Sequence, residues 1–529
     1  MFKPKLYSKF SIIQFLEVQI KYLKNVMHEP KGEQLTKKPI RLQYSGFVLF
    51  GAKMLSVATG MIFAVLLIRN ITDEQYGIWS NVFDLAAYFM LLATAFPFWS
   101  GRFVARGKQG ALKTGVVANL IVALISVGIF IPLVPAITFA LNVEAYLIIY
   151  FIASAQMVEL YLINALEAGL RAEKPQALGY GLLIEEVCKI IIAYVLIVKF
   201  NEPLLGAMIG LVTAVFIQIA YYMKLLSGQF SDKIQWKYVR EWLKGSIINI
   251  YYLIGAQIAA ILFILLFVFG GAASRGEYSA ATTIASIISY SIFLSFALYP
   301  KLLAENSVEH VPTSLKMVLM FAIPMTAGAL AIPGSLLIIL RQTYSEVAPL
   351  LSVLAIDSFI ATVGSFFIWV VFGVEKLDEE AKISIKQLMK SNIFKVYTLS
   401  YIHAAITLPI AYFVLTNFAL NQPLAAAMYV ATINMATRFA MFLVLCVIVY
   451  KTVRISIPWN SIAKYVFASA VMAIVLFLIP HQESSYLTLG ITAMGAILYF
   501  VLLMAIDKET RKLVSIIWQE IRSRIRPKI

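Results

Sequence analysis

The chain has 529 residues, of which 61% are hydrophobic and 14% charged, with a mean hydropathy of +0.83. Soluble proteins average roughly 45–50% apolar and about 25% charged residues, so a soluble enzyme, a disordered chain and a disulfide-stapled module are excluded. The net charge of +16 would suit nucleic acid, but its distribution along the chain is that of a membrane protein, and no nucleic-acid partner is expected.

A spanning helix needs roughly 20 mostly apolar residues. The first 45 residues carry nine Lys/Arg and no clean apolar core, so the first span is expected to act as the insertion signal in place of a cleaved leader. Fourteen apolar stretches follow, at about 46–69, 77–99, 114–138, 145–168, 177–199, 204–226, 246–270, 279–300, 315–339, 347–372, 396–418, 424–450, 464–481 and 487–506. The pattern predicts an all-α polytopic membrane protein. With the N-terminus inside, 37 of the 44 Lys/Arg fall on the cytoplasmic side, four outside (Arg69, Lys199, Arg275, Arg341) and three within spans (Lys53, Lys189, Arg438). This bias places both termini in the cytoplasm.

Three segments outside the spans mix basic and apolar residues near helical spacing: Tyr7–Met27, Gln229–Lys244 and Lys508–Arg526. Each is expected to rest on the headgroups as an interfacial helix, the alternative being a contact with a partner protein.

An internal repeat organises the spans. Tyr76 precedes Pro97 by 21 residues and Tyr278 precedes Pro300 by 22. Glu173-Lys174 recurs as Glu375-Lys376 at an offset of 202, and Asn201–Met208 recurs as Asn421–Met428 at an offset of 220, with five identities in eight. The jump of 18 implies an insertion at about 377–395 in the second copy. The expected organisation is a basic tail (1–45), a first six-span lobe (46–226), an amphipathic linker (227–245), a second six-span lobe (246–450), spans 13 and 14 (451–506) and a basic tail (507–529). An even number of spans per copy makes the repeat parallel, related by an axis along the membrane normal, with a substrate site between the lobes.

Nine ionisable residues fall within spans: Lys53, Asp84, Glu159, Glu167, Glu185, Glu186, Lys189, Asp357 and Arg438. Each costs roughly 2.5–3.5 kcal/mol at a lipid-facing helix centre, so they are expected to face a cavity, a partner or the headgroups. Glu185 or Glu186 with Lys189 has the spacing of a pair on one helix face, and Glu167 lies close enough to a helix end to snorkel. Lys53, Lys189 and Arg438 are the candidate substrate cations, suited to a phosphate. Asp84, Glu159, Glu186 and Asp357 are the candidate coupling carboxylates, able to exchange H⁺ or Na⁺. Arg69, Arg275 and Arg341 are placed at the outer mouth.

No phosphate-binding Gly-rich motif is present. The four histidines lack metal-ligand spacing, the two cysteines stand apart, and no outer loop exceeds about ten residues. Neither an enzyme nor a resident cofactor or metal is expected.

Several runs resemble a known family. Leu67-Ile-Arg-Asn-Ile-Thr-Asp-Glu-Gln-Tyr-Gly-Ile-Trp79 resembles the first-loop signature of polysaccharide transporters. Gly276–Ala281 with Pro300, and Ala348–Leu354 with Phe372–Lys376, resemble their seventh-to-eighth and tenth spans. Over residues 46–506 the chain is similar to the oligosaccharide flippase branch of the multidrug/oligosaccharidyl-lipid/polysaccharide flippase superfamily. The resemblance implies a two-lobed bundle working by alternating access, in the cell membrane. It also implies a polyprenyl-(pyro)phosphate-linked glycan as substrate, membrane lipid and glycosyltransferase or polymerase partners, and a cationic cavity onto which Lys53 and Arg438 map, with Lys189 a third. The 377–395 insertion, the basic N-terminal tail and the excess of deep carboxylates over deep cations depart from the pattern. A multidrug cation antiporter of the same superfamily, a membrane glycan polymerase or ligase and a scaffold for glycosyltransferases are the alternatives.

Overall fold

The computed structural model describes residues 42–295, 309–374, 389, 391–419, 422–453, 455–480 and 484–511. The expected N-terminal interfacial helix, Pro300, Glu375-Lys376, Asn421, most of the insertion and the C-terminal tail beyond Arg511 lie outside the described residues.

Among the described residues the chain is helical throughout and has no strand. Before the linker come α1 (Leu42–Ile68), α2 (Asp73–Phe89), α3 (Ala95–Ala105), α4 (Ala111–Ala140), α5 (Leu147–Glu173), α6 (Gln176–Tyr194) and α7 (Pro203–Leu225). The linker holds α8 (Trp236–Gly245). After it come α9 (Ile247–Gly270), α10 (Ala272–Ser289), α11 (Val311–Ala331), α12 (Pro333–Ile338), α13 (Ala348–Val374), α14 (Asn392–Phe418) and α15 (Pro423–Thr452), then α16 (Trp459–Leu478) and α17 (Ser485–Ile506).

Among the described residues eleven helices are long and apolar enough to cross a membrane, or twelve if α2 and α3, bent by 59° at their break, form one span. The expected count of fourteen is therefore not reproduced. Each of the fourteen stretches contains a helix, but α6 carries Glu185, Glu186 and Lys189 and does not stand among the apolar spans, and α1 is counted only as a shorter apolar helix from Ala52.

The sorting of side chains around α4 follows from a lipid solvent. Ile121, Leu124, Ile125 and Ile129 form an exposed stripe at helical spacing, which in water would be an aggregation surface. Asn119 faces inward and donates to the carbonyls of Ala93 (3.0 Å) and Tyr161 (2.7 Å), because a buried amide without partners is costly.

Helices before the linker pack chiefly on one another, as do those after it, and α2 against α10 is the most extensive contact between the two sets. The linker helix is docked rather than merely resting on headgroups. Trp242 is buried, with its ring 5.5 Å from Phe103 and 6.5 Å from Phe96. The Gly110 and Gln235 amides donate to Asp232 (2.9 Å) and the Thr114 hydroxyl (2.8 Å), and the Ser246 hydroxyl donates to the Ala95 carbonyl (3.1 Å). Gly110 has φ +73°, a left-handed conformation that glycine adopts without a steric penalty.

Candidate functional site

The charged side chains gather in three places. At the end of the bundle where ion pairs and hydrogen bonds join the two halves of the chain, for that reason called the closed end, α2 begins with a capping box: Thr72 accepts from the Gln75 amide (3.2 Å) and the Gln75 side chain accepts from the Thr72 amide (3.0 Å). Asp73 and Glu74 occupy its first turn, where carboxylates complement the helix dipole. From there α2 crosses α10 at near-backbone contact. A Cβ on Gly77 would run into the Ala272 carbonyl, and one on Gly276 into the Asp73 carbonyl.

Ser80 and Ser279 hydroxyls meet at 2.6 Å, and Tyr76 meets Thr283 at 3.1 Å. Arg275 of α10 grips Asp84 of α2 through two donors, Nε at 2.7 Å and Nη2 at 2.9 Å, while Nη1 donates to Ser279. Arg275 thus lies inside the contact, its side chain 10% exposed, and not at the mouth expected from sequence.

Arg341 and Arg69 do lie at the closed end, but as fasteners between the two halves of the chain. Arg341 pairs with Asp73 at 2.6 Å and donates to the Ile68 and Ile71 carbonyls. Arg69 donates to the carbonyls of Leu340 (3.2 Å) and Ile339 (2.9 Å) and to the Ser485 hydroxyl (2.8 Å), which ties in the first turn of α17.

The second cluster joins α1 to α6. Glu186 accepts from Ser56 (2.6 Å) and Thr59 (2.7 Å), and Lys189 stands 2.8 Å from Glu186 and 3.2 Å from Glu185. All three members of the α6 charge group are largely buried. Lys53, one turn before Ser56, is exposed and has no ion pair among the described residues.

The third cluster lies within the second half. Arg438 of α15 stands 3.1 Å from Asp357 of α13, and Asn434, one turn before Arg438, donates to the other Asp357 oxygen at 3.2 Å. His403 of α14 lies within electrostatic reach of Arg438, and its Nε2 is buried without a partner. Glu159 of α5 is 6% exposed with Oε2 unpartnered. A cavity of about 310 Å³ lies between α1 and α10, lined among others by Gly60, Met61, Thr282, Thr283, Ser286 and Tyr290. Its wall is hydroxyl-rich and carries none of the candidate cations.

The structure therefore brings Asp84 to Arg275, Glu186 to Lys189 and Asp357 to Arg438. It does not bring Lys53, Lys189 and Arg438 into one patch. Two features of these clusters lie beyond what the charge pattern of the sequence indicates: the place of His403, which stands there only as one of four scattered histidines, and the role of Ser56 and Thr59 as the hydroxyls satisfying Glu186. The helical spacing of Ser56 and Thr59 after Lys53 was the available signal for the latter.

No family model matches the chain, and no curated protein matches it in sequence. Solved structures do match its fold. The lipid II flippase MurJ in an inward closed conformation superposes with a TM-score of 0.60 at 16% identity, over 88% of this chain and 100% of that one. An inward-facing multidrug resistance MATE family transporter of the MOP superfamily gives 0.57 at 11% identity, over 78% of this chain and 99% of that one. A point mutant of the Vibrio cholerae MATE transporter VcmN gives 0.51 at 15% identity, over 78% and 98%. The chain has the fold shared by these flippases and transporters.

Proposed function

We propose that this protein is a flippase that carries a polyprenyl-(pyro)phosphate-linked oligosaccharide from the cytoplasmic to the outer leaflet of the cell membrane by alternating access. The observation that carries the reading is one of extent. The lipid II flippase is matched over 88% of this chain and the MATE transporters over 78%, and the difference, about a tenth of the chain, is close to the length of α16 and α17. The closed end faces outward in this reading, with both termini in the cytoplasm. Residues 46–226 and 246–450 form the two rocking lobes. Arg69, Arg275 and Arg341 are fasteners that must part for the outer side to open.

Lys53 and Arg438 keep donors available for a phosphate, whereas Lys189 is committed to two carboxylates. Among the carboxylates, Glu159 and Asp357 remain for coupling to H⁺ or Na⁺, because each keeps one oxygen without a hydrogen bond, whereas Asp84 and Glu186 accept hydrogen bonds on both oxygens. The glycan then crosses in the watered space between the lobes while the polyprenyl tail stays in lipid, and glycosyltransferases or a polymerase supply and consume it.

The test is the leaflet sidedness of lipid-linked oligosaccharide in cells depleted of the protein. Accumulation in the cytoplasmic leaflet, reversed by wild type and not by Lys53→Ala or Arg438→Ala at equal abundance, is the expected result. The unpartnered carboxylate of Glu159 favours a second reading, a multidrug cation antiporter. Depletion would then leave lipid-linked glycan unchanged and raise sensitivity to lipophilic cations.

A further inference from the structure

The cations that join helices in this protein are held in two different ways. Arg275 is gripped through two aligned donors, Lys189 by two carboxylates, Arg341 by a carboxylate and two carbonyls, and Arg69 by two carbonyls and a hydroxyl. Arg438 is held by one oxygen only. Its Nε lies 3.1 Å from Asp357 Oδ1, yet that oxygen receives no aligned hydrogen bond. Neither Nη group of Arg438 has a hydrogen-bond partner among the described residues, and the side chain is 36% exposed.

Asp357 is the fixed member, 8% exposed and anchored through its second oxygen by the buried Asn434 amide. A guanidinium with both Nη groups free presents the planar fork that matches a phosphate. A buried carboxylate that loses its cation is costly to leave alone. These two facts set up an exchange.

We propose that Asp357 is a tethered competitor for the anionic group of the substrate at Arg438, that group being the phosphodiester or diphosphate diester that joins lipid to glycan. In the empty protein the carboxylate holds the guanidinium by Nε. An arriving phosphate takes the fork and draws Arg438 away, leaving Asp357 with Asn434 alone. Return of Arg438 to Asp357 then helps to expel the phosphate on the far side, so the ion pair sets release as well as binding. This rests on the flippase reading, in which the cargo carries phosphate, and adds to it the residue that limits affinity.

The test uses the full-length protein in nanodiscs and farnesyl diphosphate as the probe, with binding followed by titration calorimetry. Asp357→Asn is expected to bind the probe at least tenfold more tightly than wild type, and Arg438→Gln and the double variant to lose binding. Asn434→Ala, which removes the anchor that shares Asp357 and so strengthens its hold on Arg438, is expected to weaken binding severalfold. General damage to the cluster would lower binding in both Asp357→Asn and Asn434→Ala, so opposite signs mark competition. If Asp357→Asn does not fold, the Asn434→Ala and Arg438→Gln titrations still decide. Unchanged affinity in either Asp357→Asn or Asn434→Ala overturns the proposal, as does unchanged affinity in Arg438→Gln, without touching the flippase reading. Binding of tetraphenylphosphonium with none of the diphosphate by wild type overturns both.

Discussion

Arg275 reaches from the first turn of α10 to Asp84 in the middle of α2, spanning 191 residues of sequence with two hydrogen bonds of 2.7 and 2.9 Å. Removing one partner of such a buried pair costs about 3–5 kcal/mol, because the other is left charged and alone. Arg275→Ala is therefore expected to shift the closed–open equilibrium by at least a hundredfold, since about 1.4 kcal/mol is tenfold. The thiol of Thr283→Cys, in a chain whose Cys188 and Cys446 are replaced, would become labelled by an impermeant maleimide added from the closed-end side. Swapping the charges in Asp84→Arg/Arg275→Asp should restore part of the protection. Unchanged labelling in Arg275→Ala would remove the fastener assignment.

The backbone crossing makes a sharper steric forecast. Gly77→Ala and Gly276→Ala each place a methyl against a carbonyl of the facing helix, so each is expected to force α2 and α10 apart and lower glycan export severalfold. Gly490→Ala, whose new Cβ meets nothing within 4 Å, is the control and should leave export and thermal stability unchanged. Equal behaviour of the three variants would show that the crossing is not close-packed.

Lys189→Ala leaves Glu185 and Glu186 facing each other in a largely buried site, a loss of about 3–5 kcal/mol. Its thermal midpoint should fall well below that of Ser56→Ala, which removes one hydrogen bond to a charged group at a cost of about 1.5–3 kcal/mol. A comparable midpoint for the two variants would mean that the lysine is not the principal counter-ion.

Asp507, just beyond α17, ties the C-terminal helices together at the opposite end of the chain. Burial pushes its carboxyl up, but the Thr510 hydroxyl and amide and the Lys464 ammonium more than offset this, so it titrates below its ordinary value of 3.8. Thr510 Oγ1 and Lys464 Nζ stand 2.6 and 3.0 Å away. A carboxyl depressed in the folded state adds stability above its unfolded pKa, and that stability drains as pH falls toward the folded one. Wild type should therefore lose thermal stability below about pH 4 more steeply than Asp507→Asn, which lacks this contribution throughout. Parallel pH profiles would exclude Asp507 as the source.

How much of this was legible in sequence depended on the range of the interaction. Helices are local, so each apolar stretch located one, and the departures lie in the span count: α6 has internal charges that lower its hydropathy while its packing on α7 keeps it in the bundle, α1 counts only as a shorter apolar helix, and α2 and α3 are bent apart. The i,i+3 and i,i+4 spacing of Glu185, Glu186 and Lys189 gave their pairing directly. Arg275 could not be read this way. It follows the end of a span and looks like a loop charge, and only the approach of Gly77 to Gly276 carries it to Asp84. Asp357 and Arg438, recognised separately as deep charges, sit 81 residues apart, and nothing in either segment announces the other.

The docked linker has a mechanical consequence. Asp232, Gln235, Trp242 and Ser246 are all fastened to helices that precede the linker, so the connecting strap is riveted to one leaf and contributes no slack. Any swing of the second half must then be taken up within a short stretch after Ser246, at the start of α9. A connection that reads along the sequence as an amphipathic helix lying on the headgroups is thus pinned to the first half at Asp232, Gln235, Trp242 and Ser246, and the free length between the halves shrinks to the few residues around the start of α9.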